Sequence, residues 1–141
     1  MRIRPTYIVM TLTICHLAGC KEESPDLRVK KAFEGCVKAL ESGDAGGVAD
    51  TLAKDFQGPE GLDKAGARLY LMGLLRRERV GVTVLGSRVV VEGSRARQSI
   101  EVLLTSKGGG LLPQDASRKS YVLEWRLEGS DWRLVRVEGS V

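Results

Sequence analysis

The chain has 141 residues, of which 43% are hydrophobic and 28% are charged. This balance predicts one folded domain and excludes a chain that is disordered throughout. Without Arg2 and Arg4, which lie in a segment expected to be removed, the net charge falls from +4 to +2. Because no basic stripe alternates with aromatic residues, the composition argues against nucleic-acid binding.

The first twenty residues have the pattern of a secretory signal. Arg2 and Arg4 give a positive start, and residues 7–17 are mainly apolar without a charged side chain. This stretch is shorter than the about 20 apolar residues that a membrane-spanning helix needs. A positive start, a short apolar stretch and small residues at its end together indicate a signal peptide.

The end of that segment, Leu17-Ala18-Gly19-Cys20, resembles the lipobox of bacterial lipoproteins. The resemblance implies that residues 1–19 are removed and that Cys20 becomes the acylated N-terminus, with residues 20–25 as a lipidated tether. In enterobacterial-type sorting an aspartate after the cysteine favours the inner membrane. Lys21 stands there, so we expect an envelope protein anchored to the outer membrane and facing the periplasm. An ordinary signal peptide, or a buried strand with a chance cysteine, is the alternative.

The processed chain keeps two cysteines, Cys20 and Cys36. An acylated Cys20 leaves Cys36 without a partner for an intrachain disulfide. Cys36 falls on the apolar stripe of a predicted helix, which favours a small buried core residue over a reactive thiol.

Helical spacing of apolar residues predicts two helices early in the processed chain. Asp26 is the expected N-cap of the first, which covers residues 27–42. Asp44 is expected to cap a second helix over residues 45–55. The residues of this second helix expected to face inward are Val48, Leu52 and Phe56.

A third helix of about 17 residues is predicted after Asp63, its expected N-cap. Leucines and a methionine give this helix a wide apolar face, so we expect it to be largely buried. It ends on Arg76-Arg77-Glu78-Arg79. Positive charge there interacts favourably with the helix dipole, and attraction to anionic lipid or an envelope polymer is the alternative.

From residue 82 onward the sequence is typical of strands and turns. Alternating apolar residues predict strands over residues 82–85, 88–92, 95–105, 119–128 and 132–138. Gly86-Ser87 is expected to interrupt the first two, Gly129-Ser130 to join the last two, and residues 106–117 to form a loop. Three helices followed by these strands predict an α+β fold.

This order of elements resembles the nuclear-transport-factor-2-like (NTF2-like) superfamily. The resemblance also rests on a turn and a closing hairpin, with residues Asp55, Phe56, Gly58, Pro59, Trp125, Gly129 and Trp132. It implies a domain over residues 26–141. In that domain three N-terminal helices pack in the concave face of a curved antiparallel sheet of about four to six strands, a cystatin-like cone with a pocket at its open end.

The resemblance places a ligand pocket among side chains on the concave face, and the candidates are Tyr70, Gln98, Tyr121 and Trp125. Gln98 is the one long polar side chain on an otherwise apolar strand face. A buried amide needs hydrogen-bond partners, so Gln98 is either a satisfied structural residue or a ligand contact.

The chemistry of catalytic relatives is missing from the expected positions. Ketosteroid isomerase uses a carboxylate base before a proline, and here Gly58 precedes Pro59. Dehydratase relatives rely on histidines, and the one histidine, His16, lies in the segment expected to be removed. Asp55 and Glu60 are the remaining acid–base candidates. No catalytic residue, cofactor or metal is predicted, since zinc would require histidines or a CxxC pair.

The sequence thus favours a membrane-anchored, non-catalytic envelope lipoprotein. Its expected partners are the membrane, through lipid on Cys20, and a small apolar ligand or an envelope protein. Two alternatives remain. One is an enzyme of the same fold that uses Asp55 or Glu60, and the other is a structural protein that forms a homodimer through its sheet.

Overall fold

A computed structural model describes residues 23–106 and 117–139. The predicted signal peptide, Cys20 and most of the predicted loop over residues 106–117 lie outside these ranges. Within the described ranges, no helix is both long and apolar enough to cross a bilayer.

Three α-helices lie in the first half of the described chain: α1 (Pro25–Glu41), α2 (Ala45–Thr51) and α3 (Lys64–Arg77). The predicted caps of α2 and α3 are confirmed, since Asp44 accepts from Gly47 N at 2.9 Å and Asp63 from Gly66 N at 2.7 Å. The predicted cap of α1 is wrong. Ser24 holds that position, and Pro25 begins the helix, where its missing N–H has no cost. Asp26 therefore lies in the first turn.

In the described parts of the chain, five strands form one sheet in the order β1-β5-β4-β3-β2. Their bounds are β1 Leu52–Gln57, β2 Val80–Glu92, β3 Arg95–Ser106, β4 Ser117–Glu128 and β5 Asp131–Gly139. Strands β2 to β5 pair antiparallel with their sequence neighbours, and β1 joins the outer side of β5 in parallel. The predicted α+β architecture is confirmed, because three helices pack against a curved sheet that does not close.

Strand β1 corrects the prediction for the second helix. Residues 45–55 were expected to be one helix, but α2 ends at Thr51 and Leu52 begins the strand. Leu52 and Phe56 do point into the core, as expected, although from a strand. Pairing of Leu52 with Leu134 of β5 outweighs the local helical spacing.

Strand β2 is also longer than predicted. Gly86 and Ser87 were expected to separate two short strands, yet the backbone continues through them to Glu92. A register shift between Val84 and Gly86 marks a bulge opposite β3. A bulge places an extra residue in one strand and bends it without ending it.

The core lies between the helices and the inner face of the sheet. Alternate residues of the strands point into it, and their buried members are Leu52, Phe56, Ala96, Ile100, Val102, Leu123, Trp125, Trp132 and Leu134. Val29 of α1 is fully buried against this cluster, with Phe33 packed beside it. Each Å² of apolar surface that these side chains remove from water stabilises the fold by about 25 cal/mol.

Candidate functional site

Gln98 forms a hydrogen-bonded bridge across three strands. Its side chain has no exposed surface, although it sits among apolar neighbours on β3. Its Nε2 donates to Ser87 Oγ of β2 at 3.0 Å, and its Oε1 accepts from Trp125 Nε1 of β4 at 2.9 Å. Both ends of the amide are thus bonded within the protein, which is the arrangement of a structural residue.

The indole of Trp125 lies in the same part of the core. It is 2% exposed, and the bond to Gln98 satisfies its only donor group. The concave face is therefore filled by side chains at the depth of Gln98 and Trp125. These two pocket candidates lie together, and an opening of about 340 Å³ between α1 and β2 is lined by Ser87 rather than by either of them.

The two tyrosine candidates lie nearer the surface. Tyr121 of β4 is half-buried, whereas Tyr70 of α3 is 61% exposed. Burial, and then the nearby Tyr70 hydroxyl, raise the pKa of Tyr121, so it is a neutral phenol at physiological pH. Tyr70 lies close enough to Tyr121 to raise its pKa. These two tyrosines form a pair that is separate from Gln98 and Trp125.

Asp55 is held as one member of an ion pair. Its carboxylate accepts two hydrogen bonds from Arg126, at 3.0 and 2.7 Å, and Arg126 also contacts Glu128. The bond from Arg126 lowers the pKa of Asp55 below its ordinary value. A general base works best with a pKa near the operating pH, so this carboxylate is tuned away from that role.

Glu60 lies in an exposed turn. It belongs to a 3-10 helix over Pro59–Gly61 and has the left-handed φ of 57°. Gly58 precedes it, and the Gly58 N–H donates to the Leu62 carbonyl at 2.7 Å. The local chain thus forms a tight turn on the surface, without an enclosed cleft around the carboxylate.

Cys36 is a free thiol on α1 that is partly exposed as a residue, rather than fully buried as expected. Burial of its sulfur raises the pKa of Cys36 to about 11. The thiol is therefore protonated near neutral pH, which agrees with an unreactive residue. No group of three or more metal-ligating side chains occurs in the described parts of the chain.

Helix α3 shows the largest departure from the sequence prediction. It was expected to be largely buried, yet only Ala67 is buried, while Leu69 is 68% and Met72 39% exposed. We call Leu69, Tyr70 and Met72 the α3 surface. The helix has apolar residues on two sides and packs only one of them, chiefly against α2 and β1.

An open groove of about 720 Å³ runs beside the α3 surface, between α2 and α3. Leu69 and Met72 supply its apolar wall, and Asp50, Lys54 and Arg68 supply charged groups. This shape suits contact with another surface better than enclosure of a small substrate, because ligand pockets bury most of their ligand.

The outer face of the sheet is different in character. Exposed ion pairs cross it, including Arg97 with Glu124 and Arg118 with Glu101. A shallow groove of about 350 Å³ runs there between Val90 and Arg126. A homodimer through the sheet stays a prediction, and this charged surface gives it little support, because stable dimer interfaces have an apolar centre.

Comparisons with known proteins identify the fold. No family model matches the chain, and no curated protein matches it. Solved structures do match. An NTF2-like protein from Cytophaga hutchinsonii superposes with a TM-score of 0.70 at 11% identity, over 84% of this chain and 99% of that one.

Two further structures show the range of proteins with this architecture. A candidate scytalone dehydratase from Novosphingobium aromaticivorans has a TM-score of 0.70 at 11% identity, covering 82% of this chain and 83% of its own. A Bdellovibrio bacteriovorus protein has a TM-score of 0.69 at 12% identity, covering 79% of this chain but 40% of its own. The chain thus has the NTF2-like fold, which serves enzymes and other proteins alike.

The exposure of the α3 surface was not predicted from the sequence. The signal was present, because leucines and methionine surround the helix on more than one side, but periodicity alone cannot say which side packs. Arg126 was likewise not predicted as the partner of Asp55, since the two residues are 71 positions apart. The buried Trp132 Nε1 has no hydrogen-bond partner among the described residues. The hairpin pattern marked Trp132 but did not predict this unpaired donor.

Proposed function

We propose that this chain is a lipid-anchored bacterial envelope protein whose NTF2-like domain binds a partner through the α3 surface and catalyses no reaction. The observation that carries the proposal is the exposure of Leu69 and Tyr70, at 68% and 61%, which exceeds the 42–50% of the exposed large apolar residues outside α3. Exposed apolar residues that adjoin one another on a monomer mark interaction sites.

The state of the acid–base candidates supports binding over catalysis. Asp55 is paired with Arg126, and its lowered pKa makes it a weak base. Glu60 sits on an open turn rather than in a cleft. Gln98 and Trp125 are buried and hydrogen-bonded to each other within the protein rather than presented to a ligand.

The lipid anchor rests on the sequence alone. Leu17-Ala18-Gly19-Cys20 follows a positive start and a short apolar stretch, in the order that lipoprotein precursors show. Acyl chains contribute about 0.8 kcal/mol per buried CH₂, and stable anchoring takes more than one chain. A multiply acylated Cys20 meets that requirement and needs no membrane-spanning helix.

The first experiment tests the anchor. The full chain and its Cys20→Ala variant are expressed in a Gram-negative host, and the membrane fractions are analysed by mass spectrometry. We expect acyl mass on a chain that begins at Cys20, and a variant that lacks this mass and either leaves the membrane or stays unprocessed. An unmodified Cys20 in the wild-type protein refutes the anchor.

The second experiment tests the binding surface. The apolar probe anilinonaphthalene sulfonate is titrated against the purified protein and two variants, Leu69→Gln and Val90→Gln. Val90 is a matched control because it is 50% exposed on the outer face of the sheet. We expect Leu69→Gln to lower probe binding several-fold and Val90→Gln to leave it unchanged. Equal binding by all three proteins contradicts the assignment to α3.

A further inference from the structure

The exposed side of α3 is a continuous strip with apolar and basic parts. Leu69, Met72 and Arg76 are spaced three or four residues apart, so they share one side of the helix. Ala67 points the opposite way and is buried against the domain. Tyr70 and Arg77 flank the strip on one edge and Arg68 on the other, and all three are exposed.

The charges on α3 all have one sign. Its sequence, KAGARLYLMGLLRR, contains one lysine and three arginines and no acidic residue. Lys64 donates to the Leu52 carbonyl at 3.0 Å. Among the ion pairs of residues 23–106 and 117–139, none involves Arg68, Arg76 or Arg77. These three guanidinium groups border the apolar strip and are available to an anionic partner.

This charge pattern disfavours a second copy of the chain as the partner. Two α3 helices packed face to face across a twofold axis would bring arginines together with no carboxylate from either helix. Like charges placed opposite one another are destabilising. The acidic side chains near α3, Asp50 and Asp63, line the groove between α2 and α3. The arginines that border the strip itself favour a covering surface that is apolar and negatively charged.

The geometry points to α3 as a helix that docks on the anionic surface of the bilayer that holds the protein. An apolar strip bordered by arginines suits the interface, where apolar side chains enter the acyl boundary and cations meet anionic headgroups. This inference rests on the proposed anchor at Cys20. Pro25, at the start of α1, lies five positions after Cys20, and five extended Cα-to-Cα steps span at most about 18 Å. The domain is therefore held close to the membrane.

The test measures protection of the α3 surface by lipid. Leu69→Cys and the control Val90→Cys are each made in a Cys36→Ala background, and the acylated proteins are inserted into preformed vesicles. The vesicles contain phosphatidylcholine alone or with one third phosphatidylglycerol. We expect a membrane-impermeant thiol reagent to label position 69 at least fivefold more slowly on the anionic vesicles, and position 90 equally on both.

Removal of charge gives a second readout. Each basic residue near an anionic surface strengthens binding to it, and its loss lowers the equilibrium constant for docking about fivefold. The triple variant Arg68→Gln, Arg76→Gln and Arg77→Gln should therefore abolish protection at position 69. A matched triple variant on the outer sheet, Arg95→Gln, Arg97→Gln and Arg118→Gln, should retain it. Salt at about 1 M, where the Debye length is ~3 Å, should act like the first triple variant.

Three other results overturn the inference. Equal labelling of position 69 on neutral and anionic vesicles shows that anionic lipid is not the partner. Protection that persists in detergent and grows with protein concentration identifies a second copy of the chain instead. Failure of the acylated wild-type protein to associate with either vesicle refutes the anchor itself, which separates failure of the proposed function from failure of the docking helix alone.

Discussion

Replacement of Gln98 by leucine tests whether the core amide is structural. Leucine nearly conserves the volume of glutamine but removes the acceptor at 2.9 Å from Trp125 Nε1. Because Trp125 is 2% exposed, water cannot reach the indole N–H as a substitute. A buried donor left without a partner costs about 1–3 kcal/mol. In this variant the loss of the bond to Ser87 costs less, because Ser87 is exposed and its hydroxyl can bond to water.

The free energy of unfolding should be measured by urea denaturation of the acylated protein in detergent, followed by circular dichroism. We expect Gln98→Leu to lose about 1–3 kcal/mol, or roughly 4–12 °C of melting temperature for a domain of this size. Ser87→Ala breaks the other bond of the bridge and leaves the buried Gln98 Nε2 without its acceptor, so it should also lose about 1–3 kcal/mol.

A double-mutant cycle isolates the hydrogen bond itself. Trp125→Phe alone leaves the Gln98 oxygen unpaired, whereas Trp125→Phe with Gln98→Leu leaves neither group unpaired. The double variant should therefore lose about 0.5–3 kcal/mol less free energy of unfolding than the two single variants lose in total. A Gln98→Leu protein as stable as the wild type, or strictly additive losses, would refute the reasoning and return Gln98 to the ligand candidates.

Three other predictions concern single residues. Thiol labelling of Cys36 should be slow near pH 8 and accelerate toward pH 11, because its pKa is about 11; rapid labelling at pH 8 contradicts the burial of the sulfur. Asp55→Asn should change stability little near neutral pH, since the pair with Arg126 is exposed; its lowered pKa means that the pair's contribution is lost as pH falls through acid values, which pH-dependent melting of both proteins checks. Gly73→Ala, on exposed α3 with nothing within 4 Å of the new methyl group, should stabilise by about 0.5–1 kcal/mol in the urea assay; a loss would place that side of α3 in a contact.

The antiparallel half of the fold could be predicted because its signals are local. Residues 95–102 alternate, and Ala96, Gln98 and Ile100 do point inward from β3. Gly129, with a φ of 62°, supplies the turn that joins β4 to β5. A strand whose neighbour in sequence is also its neighbour in the sheet needs only alternation and a turn to be recognised.

Strand β1 could not be predicted in this way. Its sequence, LAKDFQ, is poor in residues that favour strands, and Leu52 and Phe56 have helical spacing. What makes it a strand is the parallel edge of β5, whose residues lie far away in the chain. The partner that decides the conformation is invisible to any window of sequence around residue 52.

The candidate site was predictable in its parts but not in its arrangement. Gln98 stood out as a polar residue on an apolar face, and both of the readings given to it were physically reasonable. Only the positions of Ser87 and Trp125 show that its amide is satisfied. The apolar character of α3 was predicted correctly, but the side of the helix that packs against the domain was not. Apolar residues lie on two sides of the helix, so the sequence leaves the packed side undetermined.

The parallel pairing of β1 with β5 has a consequence for the order of folding. Arg133 of β5 donates to the Asp50 carbonyl, 83 positions earlier, where α2 leads toward β1. Closing so long a loop costs chain entropy before any contact repays it, so such pairings form slowly. The edge near α2 therefore stays open until the last strand of the chain has been made. A chain that lacks β5 would expose the unpaired backbone edges of β1 and β4.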